Sequence, residues 1–165
     1  MRSVTVRRAT PEDAGAISAI WDVICAERIY TAVSQPFTPE QEREYIAGLS
    51  EREGVFVAES EGRIVGFQTL DRWADYTDAF DHVCVLGTFV RPELRGQGIG
   101  RQLAVHTFEF ARAHAYEKSV VYVRASNSGA QAFYRSLGFV PKGVLERQVK
   151  IDGAYDDEVF MECFL

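Results

Sequence analysis

A mixed α/β (or α+β) fold, one central sheet with a parallel pair of strands in its middle, is what this sequence predicts. Three observations point to it. Apolar residues switch along the chain between helical spacing and strict alternation. The order that results is strand, two helices, three strands, helix, strand, helix, two strands. A glycine-rich turn then joins a buried strand to a helix that leads into a further strand, the connection that sets two strands parallel.

Residues 4–7 read as a short first strand. Thr10, Pro11, Glu12 and Asp13 follow as an N-cap, a proline at the first helical position and acids in the first turn. The helix they start carries Ile17, Ile20, Trp21 and Ile24 on one face. Residues 29–37 lack a period and read as an irregular loop. Thr38, Pro39 and Glu40 start a second helix, to about Leu49, with Tyr45, Ile46 and Leu49 inward. Alternation at 55–57 and 64–67 around the turn 60–63 is a β-hairpin. Residues 72–81 read as a loop and 82–90 as a buried strand. A helix at 98–114, a strand at 119–124 and a short helix at 129–136 come next, the last stopped by Gly138. Two closing strands, 145–151 and 158–164, are joined around Asp152 and Gly153 by a loop longer than a minimal hairpin.

The 165 residues, 47% of them hydrophobic, suit one domain with a packed core, and a charged fraction of 25% excludes a disordered chain. No apolar run approaches the roughly 20 residues that cross a bilayer, and the start lacks a secretory signal, so the expected location is cytoplasmic. A formal charge of −6 argues against a grip on nucleic acid or an anionic membrane and favours a cationic or amine-bearing substrate. Cys25, Cys84 and Cys163 are scattered, without a Cys-X-X-Cys pair, and only three histidines accompany them; the expectation is buried thiols, no disulfide and no metal.

The stretch 89–101 concentrates the chemistry. Gly96, Gly98 and Gly100 let backbone N–H groups converge on phosphate oxygens, and the positive end of the following helix adds to the attraction. Arg95 and Arg101 would supply mobile charge beside those fixed donors. A Walker loop would need Gly-Lys-Ser/Thr, and Gly100 is followed by Arg101 and Gln102; the dinucleotide fingerprint would need glycine where Arg101 stands.

What the turn does match is Arg-X-X-Gly-X-Gly at Arg95, Gly98 and Gly100. It resembles the pyrophosphate turn of the GNAT superfamily of N-acetyltransferases. A second block, Asn127, Ala130, Phe133, Tyr134, Leu137, Gly138 and Phe139, resembles that superfamily's Asn-X-X-Ala-X-X-Phe-Tyr-X-X-Leu-Gly-Phe signature, and the ending 150–161 resembles its closing hairpin. The opening 7–17 and the segment 37–46 are similar to the phosphinothricin-acetyltransferase-like branch. The resemblance implies a mostly antiparallel sheet of about seven strands with a parallel central pair and about four helices. It also implies transfer of acetyl from acetyl-CoA, as cosubstrate, to a primary amine of a small molecule or peptide by direct attack. A non-catalytic CoA-binding sensor or interaction module is the alternative. Oligomeric state is open, a homodimer included.

By the same resemblance, Phe89 and Val90 offer main-chain groups to the pantetheine arm, while Arg95, Gly96, Gly98, Ile99, Gly100 and Arg101 hold the pyrophosphate. Asn127 bonds the cofactor arm, with capping of the next helix as its structural alternative. Tyr134 faces the sulfur and stabilises the departing thiolate; its alternative is packing on the sheet. Branch members often carry a base glutamate on the strand before the turn, and this chain has Val85, Leu86 and Gly87 there. Asp81, His82, Glu27 and Tyr30 are the other groups that could reach a cleft where the strands ending at Val90 and Arg124 separate, though a solvated or capping role suits each of them better.

Overall fold

The computed structural model describes residues 3–165. Its elements are β1 (Thr5–Arg8), α1 (Ala14–Ala26), α2 (Pro39–Gly48), β2 (Gly54–Ser60), β3 (Arg63–Arg72), β4 (Val83–Val90), α3 (Ile99–Ala113), β5 (Lys118–Arg124), α4 (Ser128–Ser136), β6 (Val140–Ile151) and β7 (Ala154–Phe164). Seven strands form one sheet in the order β1-β2-β3-β4-β5-β7-β6. The β4–β5 pair is parallel and every other pair antiparallel. Among the described residues no helix is long and apolar enough to cross a membrane.

Helices cover both faces. Cys84, Leu86, Val121, Val123 and Met161 point from the central strands toward α3 and α4, where Ile99, Leu103 and Tyr134 meet them. Val55, Val57 and Phe67 point the other way, toward α1 and α2. The apolar stripe of α1 is buried as its spacing predicts: Ile17 and Ile20 are 0% exposed, Trp21 5% and Ile24 2%. Each such side chain contributes roughly 1.5–3 kcal/mol on burial. The Trp21 ring lies against Phe37, Phe67 and Phe89, with centroids 4.3–5.4 Å away, and its Nε1 donates to Glu42 Oε1 at 2.7 Å.

Both helix starts follow the sequence signals. Asp13 reaches back to the Thr10 N–H at 2.8 Å and also pairs with Arg7. Thr38 and Gln41 form a reciprocal capping box with Pro39 in the first turn.

Three expectations need correction. The strand β3 runs on to Arg72, because Gln68, a polar residue in the alternation, is fully buried and donates to Thr88 Oγ1 at 2.7 Å on β4. The closing strands are longer than expected. Register shifts at 141–143 and 145–149 in β6 break the alternation that would have announced it, and Pro141 is tolerated because β6 is the sheet's edge. Finally, the 152–153 connection is a minimal two-residue hairpin. Ile151 pairs with Ala154, and Asp152 and Gly153 both take positive φ, 50° and 79°.

Burial raises the Glu42 carboxyl above its ordinary pKa, opposed only by the bond from Trp21. A carboxyl raised on folding stabilises the fold fully below its unfolded pKa, and that contribution fades as pH rises through the folded value. Glu42→Gln keeps the acceptor for Trp21 and removes the desolvated charge. Thermal melts followed by circular dichroism should show the variant a few degrees more stable at neutral pH, with the gap closing as pH falls toward about 4.

Candidate active site

Strands β4 and β5 are in register at only three pairs, Val83 with Lys118, Cys84 with Ser119 and Val85 with Val120. Beyond these the strands part. Residues 86–90 keep their partners on β3 and residues 121–124 theirs on β7, so the edges facing each other across the gap carry no ladder. A cavity of about 660 Å³ opens there. It lies outside the carboxyl ends of the central strands, where ligands enter open α/β sheets.

All ten residues singled out from the sequence border this cavity: Phe89, Val90, Arg95, Gly96, Gly98, Ile99, Gly100, Arg101, Asn127 and Tyr134. The glycines divide the work. Gly96 and Gly98 have φ of 75° and 81°, and a Cβ on either would meet nothing within 4 Å, so they are required for the path of the turn and face open space. Gly100 is different. A Cβ there would stand 3.0 Å from the Phe133 ring, so this glycine serves the approach of α3 to α4. No side chain caps α3, and Gln102 is the first residue to bond back, to the Gly98 carbonyl at 3.1 Å. The N–H groups of Ile99, Gly100 and Arg101 are thus without intrahelical acceptors, at the positive end of a 15-residue helix.

The arginines are less mobile than expected. Arg95 is held by a two-point pair with Glu27 at 2.9 and 2.7 Å and lies over the Tyr30 ring at 4.6 Å. Arg101 donates to the carbonyl and hydroxyl of Ser136. Asn127 takes its capping role, accepting from the Ala130 N–H at 3.0 Å, while its Nδ2 donates to the Tyr30 carbonyl at 3.1 Å. The Tyr134 hydroxyl donates to Thr88 Oγ1 at 2.9 Å, and burial pushes the phenol pKa up.

Of the possible bases, Asp81 and His82 precede β4, at the end of the strand away from the cavity, and border none of it. The Asp81 carbonyl accepts from Arg52 at 2.5 Å, and the His82 carbonyl accepts from Glu117 and Lys118. Glu27 is taken by Arg95, and Tyr30 borders the cavity beneath that pair. Among the bordering residues that were not expected are three with polar side chains able to act on a substrate: Thr88, Tyr122 and Glu158. The closing strand contains Glu158 in plain view, but only the pairing of Glu158 with Arg124 brings it to the cavity. Among the described residues no three His, Cys, Asp or Glu side chains group as a metal site.

Residues 19–139 match the profile of the acetyltransferase (GNAT) family. The phosphinothricin N-acetyltransferase of Streptomyces viridochromogenes is 23% identical over 161 residues, covering 98% of this chain and 87% of that protein. Among solved structures, a ribosomal-protein-alanine N-acetyltransferase from Brucella melitensis superposes with a TM-score of 0.90 at 27% identity, covering 98% of this chain and 99% of that one. A GNAT superfamily phosphinothricin acetyltransferase from Sinorhizobium meliloti, in complex with acetyl-CoA, superposes with a TM-score of 0.87 at 22% identity, covering 98% and 88%.

The two kinds of glycine should separate experimentally. Gly98→Val forces a branched side chain into left-handed backbone at a cost of about 1–2 kcal/mol and obstructs the turn's open face. Calorimetry should show acetyl-CoA bound at least about tenfold more weakly, as a loss above 1.4 kcal/mol requires. Gly100→Val must displace Phe133, and overpacking of about 1–3 kcal/mol should appear as a lower Tm. A Gly100→Val protein that melts like the parent would refute the packing role.

Proposed function

The chain belongs to the acetyltransferase (GNAT) family and is an acetyl-CoA-dependent N-acetyltransferase, and from that premise we propose that it works as a single domain passing the acetyl group directly to a primary amine of a small molecule or peptide. The observation that carries this reading is the parting of β4 from β5 beside an uncapped helix start. It leaves one strand edge and one anion site in a single cavity.

In this reading the pyrophosphate of acetyl-CoA lies on the N–H groups of the turn 96–101. The amide-bearing pantetheine arm runs along the free edge of β4 at Phe89 and Val90, as an added strand would. Asn127 holds the α1–α2 connection against the start of α4 and so shapes the far wall. Arg95 acts through its pair with Glu27, which fixes the same connection to the turn.

Tyr134 sits on the floor of the gap. When the tetrahedral intermediate collapses, the C–S bond breaks and negative charge gathers on sulfur. A phenol that burial keeps protonated donates to that charge more strongly than to the resting thioester. Thr88, which also receives Gln68 Nε2, holds the hydroxyl in place until then. An acyl-enzyme route has no suitable nucleophile in Cys84. That thiol is fully buried on the α3 side of β4, and burial pushes its pKa up to about 11.

Incubating the protein with acetyl-CoA and a broad panel of amines, with products read by mass spectrometry, tests the reading as a whole; no acetylated product from any amine would count against it. With an acceptor in hand, Tyr134→Phe should leave acetyl-CoA affinity nearly unchanged while kcat falls about tenfold to a thousandfold. An unchanged kcat at saturation would return Tyr134 to packing alone. Cys84→Ala should keep its turnover and lose stability, and loss of turnover in a folded, CoA-binding Cys84→Ala protein would instead indicate an acyl-cysteine.

A further inference from the structure

Direct transfer needs a neutral amine, and the machinery above contains no group to make one. Glu158 borders the cavity and has no other assignment. On β7, Val159 and Met161 are buried in the α3 and α4 core, so alternation turns Glu158 to the opposite face, with Tyr122 and Arg124 of β5. Arg124 is its direct cross-strand partner and could have neutralised it. Instead Arg124 is spent on Asp156 at 2.8 Å and on the Arg28 carbonyl at 2.7 Å. The Glu158 side chain makes no hydrogen bond or ion pair among the described residues. A half-buried carboxylate without a partner is costly to keep, and a visiting cation would relieve that cost.

We propose that Glu158 is the base of this transfer: it receives the acceptor as its ammonium ion and takes the proton that frees the nitrogen lone pair. The inference rests on the acetyltransferase reading. In balance, the ammonium gives one proton to Glu158, and the neutral nitrogen forms a bond to the thioester carbon. The C–S bond then breaks with its electron pair going to sulfur. The nitrogen loses its second proton, which ends on the thiol, and Glu158 returns the first to solvent. No other carboxylate suits the task. Glu27 is held by Arg95, Asp156 by Arg124 and Ser126, and position 85, on the strand that would otherwise supply a base, is valine.

The same charges define the acceptor. Of the cavity's three arginines, Arg95 and Arg124 are matched by carboxylates, and Arg101 lies in the glycine-rich turn, held by Ser136; among the described residues no free cation therefore stands on the strands beside Glu158 to receive an acid group on the substrate. Tyr122, stacked on Trp73 with centroids 6.0 Å apart, adds an aromatic wall. An alkyl or arylalkyl amine without a carboxylate beside the nitrogen fits, and an α-amino acid does not.

The titratable and charged groups around Glu158 are Tyr122 and Arg124 on β5, Tyr30 across the cavity and Asp156 on its own strand; its partner on β6, Leu145, has no charge. Burial alone raises the Glu158 carboxyl above its ordinary range, and none of these groups lowers it. As a base it must be deprotonated, so the rate should rise with pH through that raised value.

The experiment measures kcat/KM for phenethylamine and hexylamine from about pH 5 to 9 with saturating acetyl-CoA, for the parent, Glu158→Gln and Glu158→Asp, beside acetyl-CoA affinity by calorimetry. The parent should rise through one ionisation and level off. Glu158→Gln should be slower at neutral pH by about a hundredfold to ten-thousandfold, lose that limb and climb steadily toward the amine's own pKa of about 10, with acetyl-CoA affinity unchanged. Glu158→Asp should keep the limb at reduced rate. An unaltered profile in Glu158→Gln, or a parent that acetylates neither amine while binding acetyl-CoA, overturns the proposal alone. A parent that binds no acetyl-CoA overturns the acetyltransferase reading beneath it.

Discussion

The structure depends on the point at which β4 and β5 stop being a pair. Three residues of parallel ladder hold them together, and both strands then continue with partners only on their outer sides. Unpaired backbone groups in a sheet interior are expensive unless water or a ligand reaches them. Here seven-residue ladders, β3 with β4 and β5 with β7, hold the two lips apart, so the gap is kept open by rigid neighbours. The glycine-rich turn, Tyr134 and Glu158 are all placed relative to that opening.

The second constraint is electrostatic. An acidic chain has few cations to spare, and those around the cavity fasten a segment without regular structure. The residues just after α1 are tied by Arg28 to Asp152 at the tip of the closing hairpin, by Arg124 to the Arg28 and Thr31 carbonyls, and by Asn127 to the Tyr30 carbonyl. Glu27 adds the pair with Arg95. An exposed ion pair is worth about 0–1 kcal/mol alone. Several converging on five consecutive residues fix a loop that apolar packing does not, and that loop forms a wall of the cavity shared with the glycine-rich turn. The arginines therefore act more in building the cavity than in lending it charge.

How much of this could be read from the sequence depended on whether the signal was local. The caps at Thr10 and Thr38, the stripe of α1 and the Asp152-Gly153 turn are decided by residues a few places apart, and the fold carries each of them. The resemblance carried by the two motifs likewise gathered ten residues that do border one cavity. What escaped is set by contacts between distant segments. Arg95 and Glu27 are 68 residues apart, and only the β5–β7 register brings Glu158 beside Arg124. Bulges hid the first half of β6, since one extra residue reverses the alternation by which a strand is recognised. Asp81 and His82 illustrate a directional error: they precede the strand whose other end holds the cavity.

Gly100 shows how closely the two halves of the site are joined. It belongs by sequence to the phosphate turn, yet the space it leaves is occupied by Phe133, the residue before Tyr134. The Phe133 and Tyr134 rings lie 5.1 Å apart, and Tyr134 in turn meets Phe139 edge-on at 5.3 Å, beyond the end of α4. The distance between α3 and α4 is therefore set inside the glycine motif, and the position of the phenol relative to Thr88 follows from it. A close-packed interior passes such displacements on rather than absorbing them. The helix start that presents free N–H groups and the helix that presents the hydroxyl are thus one packed unit, and the distance from those N–H groups to that hydroxyl is held by the packing.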